Sequence, residues 1–233
     1  MKVASFCAAL LATTGIALAA NSKPASAVTF GFNNITGGDT VGDAYNSNFS
    51  FDVSQSQSDS SKVIFKFLNS SPSTSTAAIK QFALSLDNSI AGLLSNIKVN
   101  VDNIGTVKFD SKVQNLPQSN LISGWVDEIF GGGTDGANKN SVQSGEVLGV
   151  SFTGKYTDVI TALNTGKLQV GIHVGSLPIN GASDSYISGN PSTKSVPEPA
   201  TVFGLMAFGI GGFLTRRNGK NSKTKVIAAK VTV

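Results

Sequence analysis

The sequence predicts a mainly β protein, an antiparallel β-sandwich of jelly-roll-like form, over residues 28–194. Short runs of alternating apolar and polar residues indicate strands that each bury one face. Ser, Asn, Gly and Asp interrupt these runs at intervals of roughly ten residues, which is typical of a sandwich. Most of the fourteen phenylalanines fall at in-phase strand positions, so a largely disordered Ser/Asn-rich linker is the weaker alternative.

The strands predicted in the first half of this domain follow the alternation closely. Residues 29–32 and 48–53 give two short strands, and residues 62–68 give a stronger one whose valine and phenylalanines share a face. Three further strands are predicted around the apolar sets Phe82, Leu84 and Leu86, then Ile97, Val99 and Val101, then Val107 and Phe109.

The last third of the domain gives the clearest pattern. After a predicted strand at 146–152, residues 156–163 have helical spacing, with Thr157 as N-cap and Gly166 as the stop. Residues 167–177 then alternate as a strand, and its apolar face consists of Leu168, Val170, Ile172 and Val174.

The N-terminal segment has the form of a secretory signal peptide, residues 1–27, removed by signal peptidase. Lys2 supplies the positive charge, an apolar stretch follows, and A-x-A patterns end at Ala19 and Ala27. Cleavage after Ala27 is preferred because the next residue then begins a strand. Cys7, the only cysteine, lies in this signal helix, so the mature protein is predicted to lack disulfides and cysteine-based metal sites.

The C-terminal end combines three signals in a fixed order. An extended hinge comes first, formed by Val196, Pro197, Glu198 and Pro199. Residues 200–214 carry no charge, and as a helix they would span roughly 22 Å, short for a bilayer core about 30 Å thick. Arg216 and Arg217 then form a basic stop that keeps the far end cytoplasmic.

This order resembles the PEP-CTERM sorting signal of bacterial secreted proteins, which is read by an exosortase. The resemblance implies a sorting signal with one transmembrane helix at residues 195–217, a basic cytoplasmic tail at 218–233, and only transient residence in the inner membrane. The alternative, a core helix, fits less well because core helices are usually amphipathic. Residues 156–174 and 183–187 also resemble the end of uncharacterised cyanobacterial PEP-CTERM proteins, which brings no known activity.

The charge distribution argues against nucleic-acid binding. The whole chain has a formal net charge of +4, and a positive net charge is typical of proteins that bind nucleic acid. Two lysines of the signal peptide and a net five positive charges from Ser195 onward account for more than this excess, which leaves residues 28–194 at −3. The excess of positive charge therefore belongs to the targeting segments.

No arrangement of residues indicates catalysis, a cofactor or a metal site. The single histidine, His173, lies mid-strand on a polar face, and a zinc site needs three or four ligands. Asp127 and Glu128 are adjacent, so on a strand they point to opposite faces and cannot flank one glycosidic bond. Residues 131–133 are interpreted as a flexible glycine loop, because the lysine-serine end of a phosphate loop is missing.

The function predicted from these features is that of a non-catalytic, exported protein, structural or adhesive in the cell envelope or exopolysaccharide matrix. It begins as a membrane-anchored precursor and reaches the cell surface or exterior after exosortase-type processing. The alternative is a carbohydrate-binding module that uses Trp125, although packing of this large aromatic side chain is the more frequent role. A hydrolase is the third hypothesis.

Overall fold

The computed structural model describes residues 27–192 except 114, 127 and 135–137. The strands in this part of the chain are β1 Val28–Asn34, β2 Phe49–Gln55, β3 Lys62–Asn69, β4 Ala78–Leu86, β5 Ser95–Val99, β6 Asp110–Ser111, β7 Glu128–Gly133, β8 Val147–Thr153, β9 Leu168–Gly175 and β10 Asp184–Ser192. The α-helix α1 spans Tyr156–Asn164, and short 3-10 turns lie at Asp43–Asn48, Asn88–Ile90, Ser119–Leu121 and Asn138–Asn140. The predicted signal peptide up to residue 26, sorting signal and tail lie outside the described residues.

All of these strands belong to one antiparallel sheet, in the order β5-β8-β3-β2-β1-β10-β9-β4-β7-β6. The first strand, β1, and the last, β10, pair at its centre, where Thr29 lies opposite Ser192. We call β1 and β10 the terminal pair. The predicted mainly β, antiparallel fold is confirmed, but one continuous sheet takes the place of two separate stacked sheets.

The sheet rolls on itself, so that its two halves share one core. The ring centroids of Phe67 in β3 and Phe82 in β4 lie 5.1 Å apart, although these strands are far apart in the sheet order. Phe130 of β7 and Phe152 of β8 also meet, with centroids 5.6 Å apart. Aromatic contacts of this geometry add to the free energy gained from burial, and they join the halves across the interior.

A side-chain amide joins the two edges of the rolled sheet. Asn100, just after β5, donates from Nδ2 to the carbonyl oxygen of Phe109 at 2.8 Å and accepts from its backbone N–H at 2.9 Å. The predicted strand at Val107 and Phe109 is wrong in its position, because β6 follows at Asp110–Ser111. Val107 and Phe109 are nevertheless buried. The Asn100 side chain forms the backbone hydrogen bonds of Phe109 that a neighbouring strand would otherwise provide.

The alternation predicted for β3 and β9 is confirmed. Every second residue of β3 is buried, and the predicted apolar face of β9 is fully buried. The helix is also confirmed, and Gly166 follows its end with a φ of +71°, where glycine is favoured. The N-cap prediction is wrong: Lys155 occupies that position and Thr157 lies inside α1.

The glycines at 131–133 form part of β7, so the prediction of a flexible loop is wrong. This strand pairs with β4, whose Phe82 side chain lies against it. A Cβ added to Gly132 would come within 2.6 Å of Phe82 Cε1, and one added to Gly131 within 3.0 Å of the Phe82 carbonyl oxygen. The glycines therefore permit a close approach of strand and ring. The strand β10 was likewise not predicted.

Candidate functional site

The terminal pair places the start of β1 and the end of β10 at one end of the sheet. Ala27, the predicted signal cleavage residue, is half-buried directly before β1, and the end of β10 lies beside the start of β1. Pro197 follows Ser192 by five residues, a distance of at most about 17 Å in extended chain. The predicted hinge therefore follows the last strand after only a few residues of chain.

A polar groove of about 570 Å³ lies next to Ala27 on the outer face of the sheet. We call it the strand groove. Its floor contains Asp52 of β2 and Lys66 of β3, which are directly opposite in the strand register. Its remaining lining is Ser54, Gln55, Ser56, Gln57, Ser58, Ile64 and Asp102. Sequence reasoning missed this site, because its members come together only through strand pairing.

A second groove, of about 540 Å³, lies between α1 and the turn that follows β4. Its apolar lining includes Ile90, Leu93 and Ala162, and Asp158 and Lys167 also contribute to its lining. These two grooves differ in character: the strand groove is lined mostly by hydroxyl, amide and charged side chains, whereas the second combines aliphatic side chains with hydroxyl and charged ones.

Trp125 belongs to a segment that covers the outer face of β4 and β9, residues 115–126, which we call the cover loop. Its indole is half-buried and lies over Gly171 of β9, where an added Cβ would be 3.1 Å from Trp125 Cη2 and 2.2 Å from Leu116 Cδ2. Ser85 of β4 fixes the end of the loop by bonding both the N–H and the carbonyl of Val126, at 2.8 and 3.0 Å. Trp125 therefore has a packing role, and a glycan contact at its exposed part stays a prediction.

At the other end of β10, Asp184 anchors two loops. This acidic residue is only 1 % exposed. Its Oδ2 accepts from the N–H of Gly42 at 2.9 Å, and its Oδ1 accepts from Gln118 Nε2 at 3.0 Å and from the N–H of Ser185 at 2.8 Å. Gln118 lies in the cover loop, and Gly42 lies in the loop after β1. We call this set the Asp184 clasp, and no local sequence pattern indicates it.

Tyr186 completes the Asp184 clasp from the core side. Its hydroxyl donates to the carbonyl oxygen of Gly42 at 2.8 Å, and its ring stacks on Phe49. Burial, with the nearby charge of Asp184, raises the pKa of Tyr186 far above its ordinary value. The hydroxyl therefore stays protonated and keeps its role as donor.

His173 lies out of phase with the apolar residues of β9, as predicted, but it is half-buried and hydrogen-bonded. Its Nδ1 lies 3.0 Å from the hydroxyl oxygen of Ser185 in β10. Burial lowers the pKa of His173, and the nearby charge of Asp184 opposes this shift. Ser185 is only 1 % exposed, so its hydroxyl offers no access to a substrate.

We expect the two faces of β9 to differ sharply in their contribution to stability. His173→Ala removes one neutral hydrogen bond and should cost about 1 kcal/mol. Ile172→Ala truncates a fully buried side chain and should cost roughly 2–5 kcal/mol. Urea denaturation of both variants measures the difference, and equal losses would contradict the assigned strand phase.

Several predicted site residues lie outside the described residues. These are the hinge residues Val196, Pro197, Glu198 and Pro199, the basic stop Arg216 and Arg217, and Asp127. Among the described residues, no helix combines the length and hydropathy of a membrane span. The same residues contain no group of three or more His, Cys, Asp or Glu side chains suited to a metal ion.

Comparison with known proteins identifies the C-terminal signal and nothing else in the chain. Neither the curated proteins nor the solved structures give a significant match. A family model, the PEP-CTERM protein-sorting motif, matches residues 195–218, which contain the hinge, the apolar run and both arginines. The match implies export, a membrane-anchored precursor and processing by an exosortase. The chain therefore carries a PEP-CTERM protein-sorting motif at residues 195–218.

Proposed function

We propose that this protein is a non-catalytic structural or adhesive component of the cell envelope or exopolysaccharide matrix. The observation that carries the proposal is the sorting motif at residues 195–218. Signal peptidase cleaves after Ala27, the C-terminal helix holds the precursor briefly in the inner membrane, and exosortase-type processing at the hinge passes residues 28–194 to the surface. In this role the protein carries out no catalytic step and uses no cofactor.

The position of the terminal pair supports display of the domain. Ser192, at the end of β10, is followed by the sorting motif, whereas Asp184 begins the same strand. The nine extended residues of β10 place Ser192, the end that leads to the sorting motif, roughly 26 Å from the Asp184 clasp. The loops joined by Gly42 and Gln118 therefore lie at the end away from the attachment point, where a rigid surface suits contact with another molecule.

The adhesive role is tested in a host that contains the exosortase. Cells without the chain are compared with cells that express the natural chain and cells that express Glu198→Gln, which removes the charge of the sorting hinge. We expect only the natural chain to restore cell-to-cell aggregation and retention of polysaccharide in the cell pellet. Unchanged aggregation and retention after deletion would contradict the proposal.

A carbohydrate-binding module that uses Trp125 is the second candidate. The partial exposure of this indole beside the polar cover loop favours it, because aromatic faces contact sugar rings well. Packing over Gly171 explains the same position without a ligand. Titration with a soluble glycan, followed by the fluorescence of Trp125, the one tryptophan of the chain, separates the two roles, since a saturable change in indole emission is expected only for a ligand contact.

A further inference from the structure

We propose that the strand groove binds a neutral saccharide chain through Asp52, Lys66 and Asp102. The inference deepens the adhesive role proposed above and rests on it for its biological setting. Its site is distinct from Trp125, which lies over β9, whereas the groove lies over β2 and β3. Its volume of about 570 Å³ is within the usual range for small-molecule sites, about 300–1,000 Å³.

The groove floor offers both an acceptor and a donor in fixed positions. Thr29, Asp52 and Lys66 stand side by side on β1, β2 and β3. The hydroxyl of Thr29 donates to Asp52 Oδ1 at 2.6 Å, which orients the carboxylate and leaves Oδ2 for a ligand. Lys66 lies opposite Asp52, yet the ion pairs among described residues involve other lysines. A ligand can therefore bond to both groups.

The third residue, Asp102, is held in place by an unusually close backbone contact. The preceding residue, Val101, donates its N–H to the carbonyl oxygen of Gly149 in β8 at 2.9 Å. An added Cβ on Gly149 would lie 1.7 Å from the Val101 carbonyl oxygen, so only glycine permits this approach. The loop thus lies directly on the sheet and brings Asp102 to the groove.

The chemistry of the groove favours a hydroxyl-rich neutral ligand. A peptide strand would need free backbone groups, but at Asp52 and Lys66 the strands are paired on both sides. Two carboxylates against one ammonium disfavour an anion, and the described residues include no cluster suited to a metal ion. Sugar hydroxyls both donate and accept, so they match Asp52, Asp102 and Lys66 together. Ile64 supplies an apolar contact for the C–H face of a sugar ring.

Isothermal titration calorimetry of the full-length protein in mild detergent tests the proposal. The probes are cellohexaose, maltohexaose and xylohexaose, with hexagalacturonate as the anionic comparison. We expect saturable binding of at least one neutral probe, and binding of hexagalacturonate weaker by about tenfold or more. Asp52→Asn and Lys66→Met should each weaken neutral binding by about tenfold or more, because each loses a charged hydrogen bond.

Matched controls remove the same charges elsewhere on the surface. Asp110→Asn and Lys108→Met alter exposed residues outside the groove and should leave affinity unchanged. Thermal melting checks that each variant is folded. If Asp52→Asn or Lys66→Met unfolds, Asp102→Asn, on an exposed loop, is tested in its place. Absence of binding by all three neutral probes, or wild-type affinity in the groove variants, would overturn the proposal. If the natural chain binds none of the neutral probes but still restores aggregation to deleted cells, the groove alone is refuted. If the natural chain binds a neutral probe but deleted cells show no adhesion defect, the adhesive role alone is refuted.

Discussion

Replacement of Glu198 by Gln is expected to leave the protein as an unprocessed precursor in the membrane. Glu198 is the only acidic residue from Ser195 to Val233, so it is the one negative charge that the processing enzyme can recognise there. Loss of one charged hydrogen bond costs about 1.5–3 kcal/mol, and thus about tenfold or more in recognition. The released chain, quantified by mass spectrometry of the medium, should fall accordingly.

The two prolines of the hinge are tested separately from its charge. Pro197→Ala with Pro199→Ala keeps Glu198 but removes the backbone restriction that proline imposes, and we expect the same accumulation of precursor. Asp110→Asn serves as the control, because it removes an exposed charge from the folded domain. Normal release of both hinge variants would show that the segment is an ordinary linker.

Asp184→Ala is expected to be the most destabilising change in the Asp184 clasp, with a loss of roughly 3–5 kcal/mol in the free energy of unfolding. The substitution removes the acceptor of three N–H donors, which come from Gly42, Gln118 and Ser185. Each buried donor left without a partner costs about 1–3 kcal/mol, and the total is reduced where water enters. The midpoint of urea denaturation measures this loss.

The controls for Asp184 separate the hydrogen bonds from the loss of a carboxylate as such. Asp110→Ala deletes an exposed carboxylate and should change stability by less than about 0.5 kcal/mol. Asp184→Asn keeps one acceptor oxygen and should give an intermediate loss. Equal midpoints for Asp184→Ala and Asp110→Ala would show that the clasp does not contribute to the stability of the domain.

Local patterns predicted the parts of the fold that depend on near neighbours. The alternation of β3 and β9 reflects a single buried face, so period-2 spacing locates both strands. The PEP-CTERM motif was also found from sequence, because its hinge, apolar run and arginines are contiguous. The helix was located correctly, whereas its N-cap was misplaced by the preference for Thr157 over Lys155.

Features that depend on distant partners could not be predicted. The glycines of β7 look like a loop until Phe82 of β4 is placed beside them. The strand β10 carries polar residues at buried positions, and Asp184 among them is explained only by loops that arrive from elsewhere in the chain. The strand groove is hidden for the same reason, since Asp52 and Lys66 become neighbours through register.

Pairing of the first strand with the last has a consequence for the timing of folding during export. In an export that begins with the predicted signal peptide, β1 would emerge first and would wait for β10 until nearly the whole domain had followed. A sheet closed by such non-local pairing folds slowly. Slow folding would leave the chain unfolded during translocation. Because the sorting motif begins only a few residues after Ser192, completion of the sheet nearly coincides with arrival of the motif at the membrane. In that order of export, the centre of the sheet would be completed only as the sorting motif arrives.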